Sequence, residues 1–146
     1  MTEQDTNARV NRPQFRNINA FKDLPRYRLP LAGLVSILHR ISGALMFLLL
    51  PFIIWMFDLS VSSEISYARL TSVFGNGATG GALLKLLVLA LIWAYLHHLI
   101  AGLRHLWMDV SHDAVSKEFG KSSALVTLAL SIGLTVVLGA KLFGLY

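Results

Sequence analysis

Three stretches of this sequence carry no formally charged side chain: Ile41 to Phe57, Leu86 to Leu103 and Ser122 to Ala140, of 17, 18 and 19 residues. A helix needs about 20 predominantly apolar residues to cross the hydrocarbon of a bilayer. The first run reaches that length when it is extended back through Gly33 to His39. A mean hydropathy of +0.60 and a hydrophobic share of 55% are too apolar for an ordinary soluble domain. The runs therefore predict an all-α membrane protein with three transmembrane helices, at about residues 31–57, 82–108 and 122–143. Together they make one anchor domain, 29–146, behind a polar N-terminal arm, 1–28.

The arm is irregular by this reading, with Pro13 and Pro25 breaking any helix, and it orders on a partner or on the membrane surface. Its start is too polar for a cleavable signal. Pro51 removes a backbone donor inside the first span, so a kink is expected one turn earlier, near Phe47. The first connection, Asp58 to Gly81, has room for a short surface helix over Ser63 to Phe74. Lys85 and Arg104 bound the second uncharged run and are expected to snorkel toward headgroups. In the third span, the pairs Ala129/Gly133 and Thr135/Gly139 offer small-residue faces for helix packing.

Charge orients the bundle. Seven Lys/Arg against three acids precede Ile41, and Arg104, Lys117 and Lys121 surround the second connection, whereas the first has Arg69 against Asp58 and Glu64. Positive charge stays inside, which places the N terminus in the cytoplasm and the C terminus in the periplasm of a bacterial inner membrane. Beside membrane spans, the net charge of +5 reads as a topology signal facing lipid, with no nucleic-acid partner.

His97 and His98 fall deep in the second span, where an ionisable residue is costly and points to a functional site in the bundle interior. The bland alternative is a histidine that only hydrogen-bonds between helices. Spacing favours an iron ligand. His98 and His105 are seven residues apart, about 20° out of line and about 10.5 Å apart along the axis. Gly102 lies between them on nearly the same face, where a flat macrocycle could approach. His97 points about 100° away, so only one of the two serves the same iron, and His98 is the better candidate. With no cysteine in the chain, covalent haem attachment and thiolate-held clusters are excluded, and a redox cofactor must be held by histidine. The third span has no histidine, so a second axial ligand must come from a partner subunit.

Ser36, His39 and Arg40 stand at i, i+3 and i+4 on one face of the first span, level with His105 and Asp109 at the end of the second. A guanidinium fork fits a haem propionate, and a hydroxyl can donate to a quinone carbonyl. Against this stands plain headgroup anchoring by basic residues at span ends. His112 falls in the polar second connection and is read as solvated.

SILHRISG at Ser36 to Gly43, followed by HHLIAGLRHLWMD at His97 to Asp109, resembles the cytochrome b556 membrane-anchor subunits of succinate dehydrogenase. The resemblance covers about 110 residues and the three-helix plan. It implies one b haem shared with a second small membrane-anchor subunit, beneath an iron–sulfur subunit and a flavoprotein subunit. It implies His98 as the axial iron ligand, His39, Arg40 and His105 by the propionates, Ser36 and Arg40 on ubiquinone, and Asp109 in support of the quinone side. The role implied is a subunit of succinate:quinone oxidoreductase that binds no succinate itself. The competing reading is a purely structural anchor without haem. A transporter or channel would need charge through the depth of the bundle, which the first and third spans lack between their ends.

Overall fold

A computed structural model describes residues 19–23, 26–75 and 79–146; the arm up to residue 18 lies outside them. The long elements are α1 (Leu31–Leu48), α2 (Leu50–Val61), α3 (Glu64–Gly75), α4 (Thr79–Val110) and α5 (Lys117–Leu142). No strand occurs among the described residues.

α1, α4 and α5 are the three helices long and apolar enough to cross a membrane. At about 1.5 Å per residue the 32 residues of α4 run close to 48 Å, well beyond a hydrocarbon core of about 30 Å, so α4 tilts or projects. Its ends lie outside the stretch bounded by charge, because a charged residue in the headgroup layer does not stop a helix. α5 likewise starts at Lys117 and not at Ser122, where Ser116 caps it: the Phe119 amide donates to Ser116 Oγ at 3.3 Å.

Proline shapes the first crossing. The break falls at Leu49 (φ −92°, ψ 6°), two residues later than the expected Phe47, and Pro51 becomes the second residue of α2. An amide hydrogen has no intrahelical acceptor there, so proline is tolerated. The Leu49 amide still reaches the Leu45 carbonyl at 3.0 Å and the Ile53 amide the Leu49 carbonyl at 3.0 Å, so the rod is interrupted for one residue only. α3 packs back on α2 and α4. In the arm, Asn19 and Asp23 cap one helical turn (Ala20–Asp23) reciprocally: the Lys22 amide donates to Asn19 Oδ1 at 3.2 Å, and the Asn19 amide to Asp23 Oδ2 at 2.8 Å.

α1, α4 and α5 pack pairwise against one another. Their shared interior is made of small or polar residues: Ser42, Ala94, Ala101, Ala124, Thr127 and Ser131, with Val35 and His97 the largest fully buried side chains. Leucine, isoleucine and phenylalanine face outward along every span. That arrangement is what lipid as a solvent produces, since apolar bulk gains nothing from leaving it and close backbone contact does the holding. Gly139 lies in such a contact, where an added Cβ would come within 2.7 Å of Leu89 Cδ1. Ala129 and Gly133 are exposed, so neither α1 nor α4 uses the small-residue face they form. The packed stripe of α5 runs through Ala124, Thr127, Ser131 and Gly139, because Arg104 and His97 of α4 find hydroxyl oxygens on that side, at Ser123 and Ser131.

Candidate functional site

Three histidines meet where α1 crosses α4. The His39 ring stacks on His98 with centroids 4.1 Å apart and planes 12° from parallel, and it stands 5.1 Å from His105. His39 thus fills the gap between His98 and His105, two helical turns apart on α4. Gly102 lies under it: an added Cβ would sit 3.5 Å from His39 Nε2, an ordinary contact. His98, Gly102 and His105 are all half-buried, and the stripe faces the rim of the bundle.

The orientation of His98 is set by α1. Its Nδ1 lies 3.0 Å from the His39 carbonyl oxygen. A carbonyl only accepts, so Nδ1 carries the proton and Nε2 carries the lone pair. Ser42 Oγ donates to the same carbonyl at 2.8 Å and lies 3.4 Å from Nδ1, closing the cradle. Gly43 makes the approach possible. A Cβ there would stand 2.8 Å from His98 Cε1 and 3.1 Å from Nδ1, closer than real side chains come. A protonated Nδ1 on a backbone carbonyl is how metal-ligating histidines are held, with the other nitrogen offered outward.

His97 goes the other way. It is fully buried, its Nδ1 lies 3.2 Å from Ser131 Oγ of α5, and its ring stacks on Trp93 at 5.5 Å. Ser131 Oγ is also 3.2 Å from the Leu128 carbonyl, one turn back on α5. Its Nε2 is buried without a partner among the described residues. No macrocycle has room beside a ring sealed between packed helices.

Ser36 is half-buried on the same face of α1 as His39, while Arg40 and Asp109 are exposed at the edge of the cluster. Backbone continuity of α1 keeps Ser36, His39 and Arg40 on one face. Arg104 departs from the expected snorkelling position. It is 8% exposed and turns sideways into α5, where its Nε donates to Ser123 Oγ at 2.8 Å and its Nη2 to the Gly120 carbonyl at 3.3 Å. The small side chains at Gly120 and Ser123 leave room for it. Ser42, Gly43 and Ser131 were not singled out from the sequence. The run Ser42-Gly43 three residues after His39 was the available signal, since small residues there permit a close helix crossing.

No three His, Asp or Glu side chains gather as a metal cage among the described residues. The histidine cluster is therefore no self-contained metal centre. It offers one oriented imidazole, His98, with two further imidazoles and a glycine beside it.

The chain is 32% identical over 117 residues to the succinate dehydrogenase cytochrome b556 subunit of Coxiella burnetii, covering 80% of this chain and 90% of that one. Its identity to the cytochrome b556 subunit of Paracoccus denitrificans is 32% over 111 residues, 76% of this chain and 81% of the relative. The cytochrome b560 subunit of Reclinomonas americana is 28% identical over 131 residues, 90% and 86% of the two chains. Residues 10–138 match the succinate dehydrogenase/fumarate reductase transmembrane subunit family, and with three apolar spanning helices and so much shared length, the chain belongs to that family of membrane anchors.

Proposed function

We propose that this chain binds one b-type haem together with a second small membrane-anchor subunit, and that it forms part of a ubiquinone-reducing site fed by an iron–sulfur and a flavoprotein subunit. The observation that carries this reading is the His98 cradle: Nδ1 is bonded to the His39 carbonyl at 3.0 Å, which leaves the lone pair on Nε2. A haem held there supplies reversible one-electron storage beside the quinone.

The chain's own residues do the binding and orienting. His98 would offer Nε2 to iron, while Gly102 lets the His39 ring lie against α4 beside it. His39, Arg40 and His105 donate to propionates, Arg40 through its forked geometry. Ser36, one turn from Arg40, donates its hydroxyl to a quinone carbonyl, and Arg40 stabilises charge that develops on that oxygen. Asp109, at the end of α4, supports the quinone side as a carboxylate near the membrane surface. In this reading the oxidation of succinate belongs to the flavoprotein.

The lysine and arginine bias puts Ser36, Arg40 and Asp109 at the cytoplasmic surface of a bacterial inner membrane, with the C terminus in the periplasm. Reduced-minus-oxidised optical spectroscopy on the assembly purified through a tag on this chain tests the reading. A b-type signal is expected in the wild type and not in His98→Ala. An intact wild-type assembly with no such signal would reduce the protein to a structural anchor.

A further inference from the structure

At the end of the bundle where α1 begins and α4 ends lies a cavity of about 740 Å³, separate from the histidine seam. Leu31 and Ala32 of α1, Met108 of α4 and Ala114 give it apolar walls. Its charged lining is Arg104, Lys117 and Lys121 against one acid, Glu118. The size is that of a small-molecule site. The geometry points to an anionic phospholipid as its occupant, with the phosphate held by Arg104, Lys117 and Lys121 and the start of an acyl chain along the apolar walls.

Arg104 carries the inference. More than nine-tenths of its surface is out of solvent, yet both of its hydrogen bonds go to neutral oxygens, Ser123 Oγ and the Gly120 carbonyl. A guanidinium has five N–H donors and a fixed charge. The bundle satisfies two of the five donors, and nothing it bonds neutralises the charge. The unpaired N–H donors of Arg104 are not sealed inside the protein, so a counter-ion from outside the chain can reach them. Two lysines one turn apart and the amino end of the 26-residue α5 add positive potential at the same place, more than Glu118 offsets. The cavity thus joins an apolar trough to a cationic rim at the level of a membrane surface. A phosphodiester on a glycerolipid satisfies both halves, whereas free phosphate satisfies only the rim. Ubiquinone has no charge for the rim, and its proposed contacts, Ser36 and Arg40, do not line this cavity.

Native mass spectrometry tests this on the full chain with its copurifying subunits, delipidated in detergent and titrated with phosphatidylglycerol. Phosphatidylcholine and inorganic phosphate serve as comparison arms. The expected result is one phosphatidylglycerol in the wild type beyond the number retained by Arg104→Gln. Lys117→Gln/Lys121→Gln should bind it about tenfold or more weakly, since each lysine near a lipid surface contributes a factor of roughly five. Both lysines are exposed, so that variant is expected to assemble and decides the matter if Arg104→Gln does not accumulate. Phosphatidylcholine should bind at least tenfold more weakly, and millimolar inorganic phosphate should displace nothing. Equal retention of the two lipids, or unchanged binding in the lysine variant, would overturn the proposal. Displacement by inorganic phosphate would overturn it in favour of a simple anion site.

Discussion

Adjacent on α4, His97 and His98 lie in different seams of one small bundle. His97 is sealed in the interior shared by the three spans, bonded to Ser131 of α5 and stacked on Trp93. His98 is half-buried between α4 and α1, with one nitrogen on the His39 carbonyl and the other free. The 100° between neighbouring helix positions separates a residue that holds helices together from one that can hold a ligand. Both are imidazoles at the same membrane depth, so depth does not distinguish them. The distinction comes from what lies opposite: a serine hydroxyl that fixes a ring inside the protein, or a backbone carbonyl that fixes a ring while leaving its far side open.

The largest effect expected from this contrast is on the cofactor. His98→Ala should abolish the b-type optical signal while the chain still assembles with its partners. His97→Ala should keep the signal and lose stability instead, by about 2–4 kcal/mol, through a buried cavity and an unpaired Ser131. Thermal unfolding in detergent measures the second and optical spectroscopy the first. If His97→Ala lost the signal and His98→Ala kept it, the roles assigned to the two seams would be exchanged.

Arg40→Leu sharpens the same contrast on the α1 side. Removing a charge-assisted donor costs about 1.5–3 kcal/mol, so succinate:quinone turnover should fall roughly 10- to 100-fold with assembly intact. Unchanged turnover would leave Arg40 as a headgroup anchor. Gly43→Ala tests the cradle itself. A methyl 2.8 Å from His98 Cε1 must push the ring or separate α1 from α4, at about 1–3 kcal/mol. The expected outcome is weaker haem retention and an altered reduced spectrum; a wild-type spectrum at full occupancy would mean that the cradle does not position the ligand.

The spans were legible because charge marks their approximate limits, and the stripe of His98, Gly102 and His105 because helical periodicity is fixed. Matching depths on antiparallel helices put His39 level with His105, but not on the ring of the deeper His98, where it stacks at 4.1 Å. Angular phase between helices was not legible. α5 carries one small-residue stripe through Ala129 and Gly133 and another through Thr127 and Ser131, and nothing local says which one faces α4. The choice depends on His97 and Arg104, whose directions are known only once the bundle is assembled. Arg104 read as a snorkelling cation for the same reason, since its partners Gly120 and Ser123 lie across a turn on another helix. Ser42 and Gly43 look like ordinary small residues until a histidine from α4 is placed against them.

Ser131→Ala is the smallest and most discriminating change. It deletes the hydroxyl bonded to His97 at 3.2 Å and leaves the ring, its stacking on Trp93 and the small volume at the crossing in place. Polar contacts between membrane helices contribute on average about 0.6 kcal/mol, so the loss should be near that figure, up to about 1.7 kcal/mol. The optical spectrum should not move, because the α4–α1 seam that orients His98 shares no hydrogen bond with Ser131. A shift in haem midpoint potential in this variant, with stability unchanged, would show that the two seams are coupled through α4, and the separation between a packing histidine and a ligand histidine would fail.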